Sequence, residues 1–136
     1  MPFVMDASVA LSWCFEDEAS SYADRVQDML ARDVALVPSI WPFEVANALR
    51  TAERRRRLRA AEVMRFAELL HALPIMVDSA LLPRALGPIL AVARACRLTC
   101  YDACYVELAV REGIPLATQD KRLQDACAHV GVSRVP

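Results

Sequence analysis

No part of this 136-residue chain holds the roughly 18 consecutive apolar residues that a membrane-spanning helix needs. The most apolar stretch, 80–96, is cut by Pro83, Arg84, Gly87, Pro88 and Arg94, which excludes a membrane span. Excess charge is lacking too: 16 Lys and Arg against 17 Asp and Glu leave a net charge of -1. That excludes a polycation holding nucleic acid by bulk attraction, so any nucleic-acid contact has to be local. The opening Met1-Pro2-Phe3-Val4-Met5-Asp6 has no basic segment and meets an acid before an apolar run can develop. No secretory signal is expected, and the expected location is the cytoplasm. Histidine is scarce, and neither His71 nor His129 has a nucleophile partner in the sequence, which argues against a Ser-His-Asp hydrolase. The five cysteines, an odd number in a chain expected to be intracellular, read as reduced, buried small hydrophobes. Cys96, Cys100 and Cys104 have ligand-like spacing, but a helix break at Leu98-Thr99 favours packing over zinc.

What is present is a core. With 56% hydrophobic residues and no repeat, linker or low-complexity segment, residues 1–136 read as one domain that needs neither disulfide nor structural metal to fold. Short apolar runs end at Met5, Val37, Val77 and Ala117, and amphipathic helical patterns separate them. Ser8 is the expected cap of the first helix, Ser20 or Ser21 of the second, and Pro42 opens the third. Further helices are expected over 60–72, 85–97, 101–111 and 121–128, with Thr99 capping the second-last before Tyr101 and Gly113 ending it. Val130 to Val135 reads as an edge strand. Apolar strands without period-2 alternation, separated by helices, predict a three-layer α/β/α sandwich around a parallel sheet of four to five strands.

In open parallel sheets, ligands bind beyond the carboxyl ends of the strands. Asp6 follows the first strand directly, and Asp120 follows the fourth after Thr118-Gln119. Glu44 and Asp102 fall in first turns of helices, where each could serve only the helix end, as Asp120 could serve as a cap. Asp6 has no such local explanation, because an acid ending an apolar strand is costly to bury unpaired. If the four converge, carboxylates about 4 Å apart repel by roughly 4 kcal/mol at an effective dielectric of 20. The chain has a single lysine, Lys121, to offset this. An oxygen-only set favours Mg²⁺ or Mn²⁺, which would lower the pKa of a bound water and orient a phosphodiester.

Four segments carry a resemblance: Phe3-Val4-Met5-Asp6-Ala7-Ser8, Pro42-Phe43-Glu44-Val45-Ala46-Asn47-Ala48-Leu49, Leu98-Thr99-Cys100-Tyr101-Asp102-Ala103 and Leu116-Ala117-Thr118-Gln119-Asp120-Lys121-Arg122-Leu123. In order and spacing the chain resembles the PIN-domain family, specifically the small VapC-type toxin ribonucleases of toxin–antitoxin systems. The resemblance implies that Asp6, Glu44, Asp102 and Asp120 are the catalytic quartet holding Mg²⁺ or Mn²⁺, with Ser8 and Thr118 hydrogen-bonding beside them. It further implies RNA hydrolysis, a homodimer and a cognate VapB-type antitoxin laid across the active-site groove. Gln119 and the Gly87-Pro88 interruption depart from the family pattern.

Arg54 and Arg55, in the run Arg54 to Arg59, are candidate RNA-phosphate contacts or simply a solvated helix end. Trp13, Phe15, Trp41 and Phe43 are candidates for the antitoxin groove, or for the core. Two other functions compete. A phosphotransfer domain with Asp6 as nucleophile would want a second acid two residues on, where Ser8 stands. A non-catalytic PIN-like RNA-binding or interaction module would keep the fold without turnover.

Overall fold

A computed structural model describes residues 1–79 and 82–136. The order is β1 (Phe3–Met5), α1 (Ala7–Ser12), a 3-10 turn (Glu16–Glu18), α2 (Ser21–Met29), β2 (Ala35–Pro38), α3 (Trp41–Arg54), α4 (Ala60–Ala72) and β3 (Ile75–Asp78). It continues through α5 (Leu82–Arg84), a π-helical turn (Ala85–Ile89), α6 (Leu90–Cys96), α7 (Cys100–Glu112), β4 (Leu116–Ala117) and α8 (Lys121–Val130).

The strands form one parallel sheet in the order β3-β2-β1-β4, flanked by helices as expected of an α/β/α sandwich. Central β1 is fully buried, which is why Phe3-Val4-Met5 carries no polar residue. The apolar faces of the helices close on it: Val9 of α1, Val26 of α2, Leu49 of α3 and Val106 of α7 are all in the core. The edge strand β3 is less covered than its apolar sequence suggests, with Met76 and Val77 exposed.

The register of β1 against β4 decides which residues meet at the carboxyl ends of the strands. Met5 pairs with Ala117, and the Asp6 N–H donates to the Ala117 carbonyl at 3.0 Å. The residues that leave these two strands, Asp6 and Thr118, are therefore neighbours.

Several helix ends match their local sequence signals. Ser20 caps α2 by accepting the Ala23 N–H at 3.0 Å, Thr99 caps α7 by accepting the Asp102 N–H, and Gly113 closes α7 at a φ of 65°. Three expectations need correction. Ser8 does not cap α1; Asp6 takes that position, and Ser8 sits in the first turn with its hydroxyl turned back onto Asp6. The continuous helix over 85–97 is instead a π-helical turn around Pro88 followed by α6, because proline has no N–H to give and its ring crowds the preceding turn. The segment Val130 to Val135 contributes to the sheet only one isolated bridge, Arg134 to Leu116, since α8 runs on to Val130 and leaves little chain to pair.

Candidate active site

Asp6 is 8% exposed at the mouth between β1 and β4. Two hydroxyls donate to its Oδ2, Ser8 Oγ at 2.8 Å and Thr118 Oγ1 at 3.0 Å. Burial holds the Asp6 carboxyl above the usual carboxylate range; the hydroxyls pull it back down, and the charge of Asp120 pushes it further up.

Glu44, in the first turn of α3, is half-buried and accepts a hydrogen bond from the hydroxyl of Tyr105. Burial raises its carboxyl as well, the Tyr105 hydrogen bond opposes this, and the charges of Asp6 and Asp102 add to it. Tyr105 is fully buried on α7, one turn beyond Asp102, and its phenol is held far above its ordinary value by burial and by Glu44. Its hydroxyl, donating to Glu44, ties α7 to α3.

Asp120 follows Thr118 and accepts the backbone N–H of Arg122, capping α8 as its sequence position allowed. Its other oxygen lies 3.3 Å from Arg122 Nη2, and the same nitrogen is 3.4 Å from Asp102 Oδ2. Lys121 is not the counterion: it reaches along α8 to Asp125 at 2.6 Å. The four predicted acids thus gather at one end of the sheet, beside a cation, Arg122, that the sequence pattern did not single out. Among the described residues, however, no three acidic, histidine or cysteine side chains stand close enough to chelate a metal ion as they are placed.

A polar strap also escaped the sequence pattern. Gln119 accepts from Ser20 Oγ at 2.7 Å and donates to Ser12 Oγ at 3.2 Å, so the residue between Thr118 and Asp120 clamps their loop onto α1 and α2. From the other side, the Thr118 N–H donates to the Tyr22 hydroxyl at 3.3 Å and Arg134 Nε donates to the Thr118 carbonyl at 3.2 Å. The one readable signal was hydroxyl and amide residues clustered around an apolar strand end.

A family model for the PIN domain matches residues 3–128, a span that takes in all four acids. The chain belongs to the PIN domain family. Among solved structures, this PIN domain is similar to PAE2754 from Pyrobaculum aerophilum, with 25% identity and a TM-score of 0.68, over 93% of this chain and 79% of that one. It also shares its fold with VapBC2 from Rickettsia felis, solved bound to a DNA fragment from their promoter, with 8% identity, a TM-score of 0.67 and 93% of each chain covered. A search of curated proteins finds no match.

The remaining candidates divide. Arg54 and Arg55 are exposed at the end of α3, ten and eleven residues beyond Glu44, which along a helix is about 15 Å from that acid. Arg57 is held elsewhere, stacked 4.5 Å above the Phe15 ring and paired at 2.9 Å with Asp17. Of the aromatics, Phe15 and Trp41 are buried, the Trp13 indole donates to the Ala23 carbonyl, and Phe43 is 71% exposed. Trp41 lines an apolar groove of about 450 Å³ between α3, α4 and β3, and its indole N–H has no partner among the described residues.

The cysteines form no site. Burial pushes the Cys104 and Cys127 thiols up to about 11, and Cys100 is exposed rather than packed in the core, because it opens α7 on the solvent side. Among the described residues no helix is long and apolar enough to cross a membrane.

Proposed function

We propose that this PIN domain is a Mg²⁺- or Mn²⁺-dependent endoribonuclease acting as the toxin of a VapC-type toxin–antitoxin pair. The observation that carries the reading is the convergence of Asp6, Glu44, Asp102 and Asp120 from four separate segments, with no cation beside Asp6 or Glu44 among the described residues. Such a set is chemically suited to a hard divalent ion, being all carboxylate oxygen with hydroxyls behind it. Asp6, Glu44, Asp102 and Asp120 would hold that ion, which when bound supplies an activated water and charge stabilisation at a phosphodiester.

The protein's part is to aim these oxygens. Ser8 and Thr118 fix the Asp6 carboxylate, Tyr105 fixes Glu44, and the Gln119 strap holds the loop carrying Asp120. Arg54 and Arg55 extend the reading to RNA, as phosphate contacts beyond the cleavage point.

The likeness to the VapBC2 assembly supports a VapB-type antitoxin as partner. The groove beginning at Trp41, three residues from Glu44, is an apolar surface suited to one of its segments. The exposed Met76 and Val77 of edge strand β3 support a homodimer. The cytoplasm, where a toxin of this kind would meet its RNA, is the proposed location.

The test is cleavage of labelled RNA with Mg²⁺ or Mn²⁺, with and without EDTA, for the native chain, Asp6→Asn and Asp102→Asn. Cleavage is expected only with metal and is expected to fall by about 100-fold or more in each variant. Cleavage that persists in EDTA overturns the reading. A second reading, a non-catalytic RNA-binding module, draws on the lack, among the described residues, of three side chains placed to chelate a metal ion. Binding of RNA without metal-dependent cleavage would favour it.

A further inference from the structure

We propose that Arg122 is the resident counterion of this site, holding Asp102 and Asp120 until a divalent cation displaces it, and so setting how much metal the protein needs. The inference rests on the metal-dependent reading above.

Its basis is an asymmetry in how the four acids are neutralised. Asp6 is buried and Glu44 half-buried, the hydroxyls of Ser8, Thr118 and Tyr105 donate to them, and no cation pairs with either among the described residues. Asp102 and Asp120 are the outer pair, and one guanidinium nitrogen of Arg122 lies within 3.4 Å of an oxygen from each. Both carboxylates are more enclosed than the arginine, with side chains 20% and 29% exposed against 68%. An exposed arginine with a long stem can leave without unpacking the core, whereas the acids stay where α7 and the β4–α8 loop put them.

The placement is specific to this side chain. Arg122 lies on the first turn of α8 and its own N–H is capped by Asp120, so its stem starts beside the acids. Lys121, one residue away, turns to Asp125. A cation entering between Asp102 and Asp120 has to break both contacts, so Arg122 competes with it directly.

The experiment is a Mg²⁺ titration read by melting temperature on the full chain, starting from protein stripped with EDTA, for the native protein, Arg122→Ala, Arg122→Lys and Lys121→Ala. The melting temperature rises as a ligand fills a site present only in the folded state. In Arg122→Ala the half-saturating Mg²⁺ concentration is expected to fall by about three- to tenfold, which lies within what two exposed ion pairs are worth. Arg122→Lys, which keeps the charge, and Lys121→Ala, which removes the neighbouring one, are expected to stay within about twofold of native.

An unchanged or higher half-saturation in Arg122→Ala overturns the inference. An equal fall in Lys121→Ala does so too, since the effect would then be general charge. If Mg²⁺ and Mn²⁺ leave the native melting temperature unmoved, the metal-dependent reading itself fails, which is a different result. A purely structural arginine would lower the melting temperature in EDTA without tightening metal binding.

Discussion

Thr118 reaches Asp6 across 112 residues of chain, its Oγ1 donating to Oδ2 at 3.0 Å while the same oxygen accepts the Asp120 N–H at 3.0 Å. One buried hydroxyl thus fixes one acid of the site directly and the approach of a second through its backbone. Replacing it by the isosteric valine in Thr118→Val keeps the packing and removes both bonds. The expected loss is about 1–2 kcal/mol in urea unfolding with an unchanged slope, together with weaker Mg²⁺ binding. Native stability in the variant would show that the hydroxyl holds nothing.

Burial raises the Asp6 and Glu44 carboxyls, so in metal-free protein the native state keeps protons that the unfolded chain has already released. The contribution of such groups is favourable below the ordinary carboxylate range and is lost as pH rises through the raised values. In EDTA, Asp6→Asn is therefore expected to melt higher than native near pH 7, with the difference shrinking toward about pH 4. Melting curves across that range check it, and a variant that melts lower at neutral pH refutes the direction.

Tyr105→Phe removes only the hydroxyl that donates to Glu44 from a fully buried ring. A loss of about 1–2 kcal/mol is expected, with a higher Mg²⁺ requirement and the fold intact by circular dichroism. Unchanged metal binding would confine Tyr105 to the core.

Arg54 and Arg55 are the outlying candidates, exposed and without acidic partners among the described residues. Converting both to glutamine is expected to weaken RNA binding and to flatten its dependence on log salt by roughly 1.4, at 0.7 per single-strand phosphate contact. An unchanged slope would make them a solvated helix end. Arg57→Gln, by contrast, is expected to reduce stability by about 1 kcal/mol through its stacking on Phe15, since its exposed pair with Asp17 adds little.

Asp6 and Asp120 were legible because the polar residues that end apolar runs mark where strands stop. Glu44 and Asp102 were legible less directly, as acids in the first turns of helices and through the motifs around them. The Val130 to Val135 segment misled because apolar content says nothing about whether a strand has chain enough to pair. Cys100 misled for a similar reason, its place at the start of α7 being set by helix packing.

The order of strands and helices, and the acids at their junctions, follow from the chain alone, because burial on both sheet faces demands apolar runs and leaves polar residues only at their ends. Which groups neutralise those acids was decided in three dimensions. Lys121 and Arg122 are adjacent in sequence but about 100° apart around α8, so one turns to Asp125 and the other to Asp102 and Asp120. Tyr105 meets Glu44 only because α7 and α3 are brought together at the site, a relation no local pattern encodes.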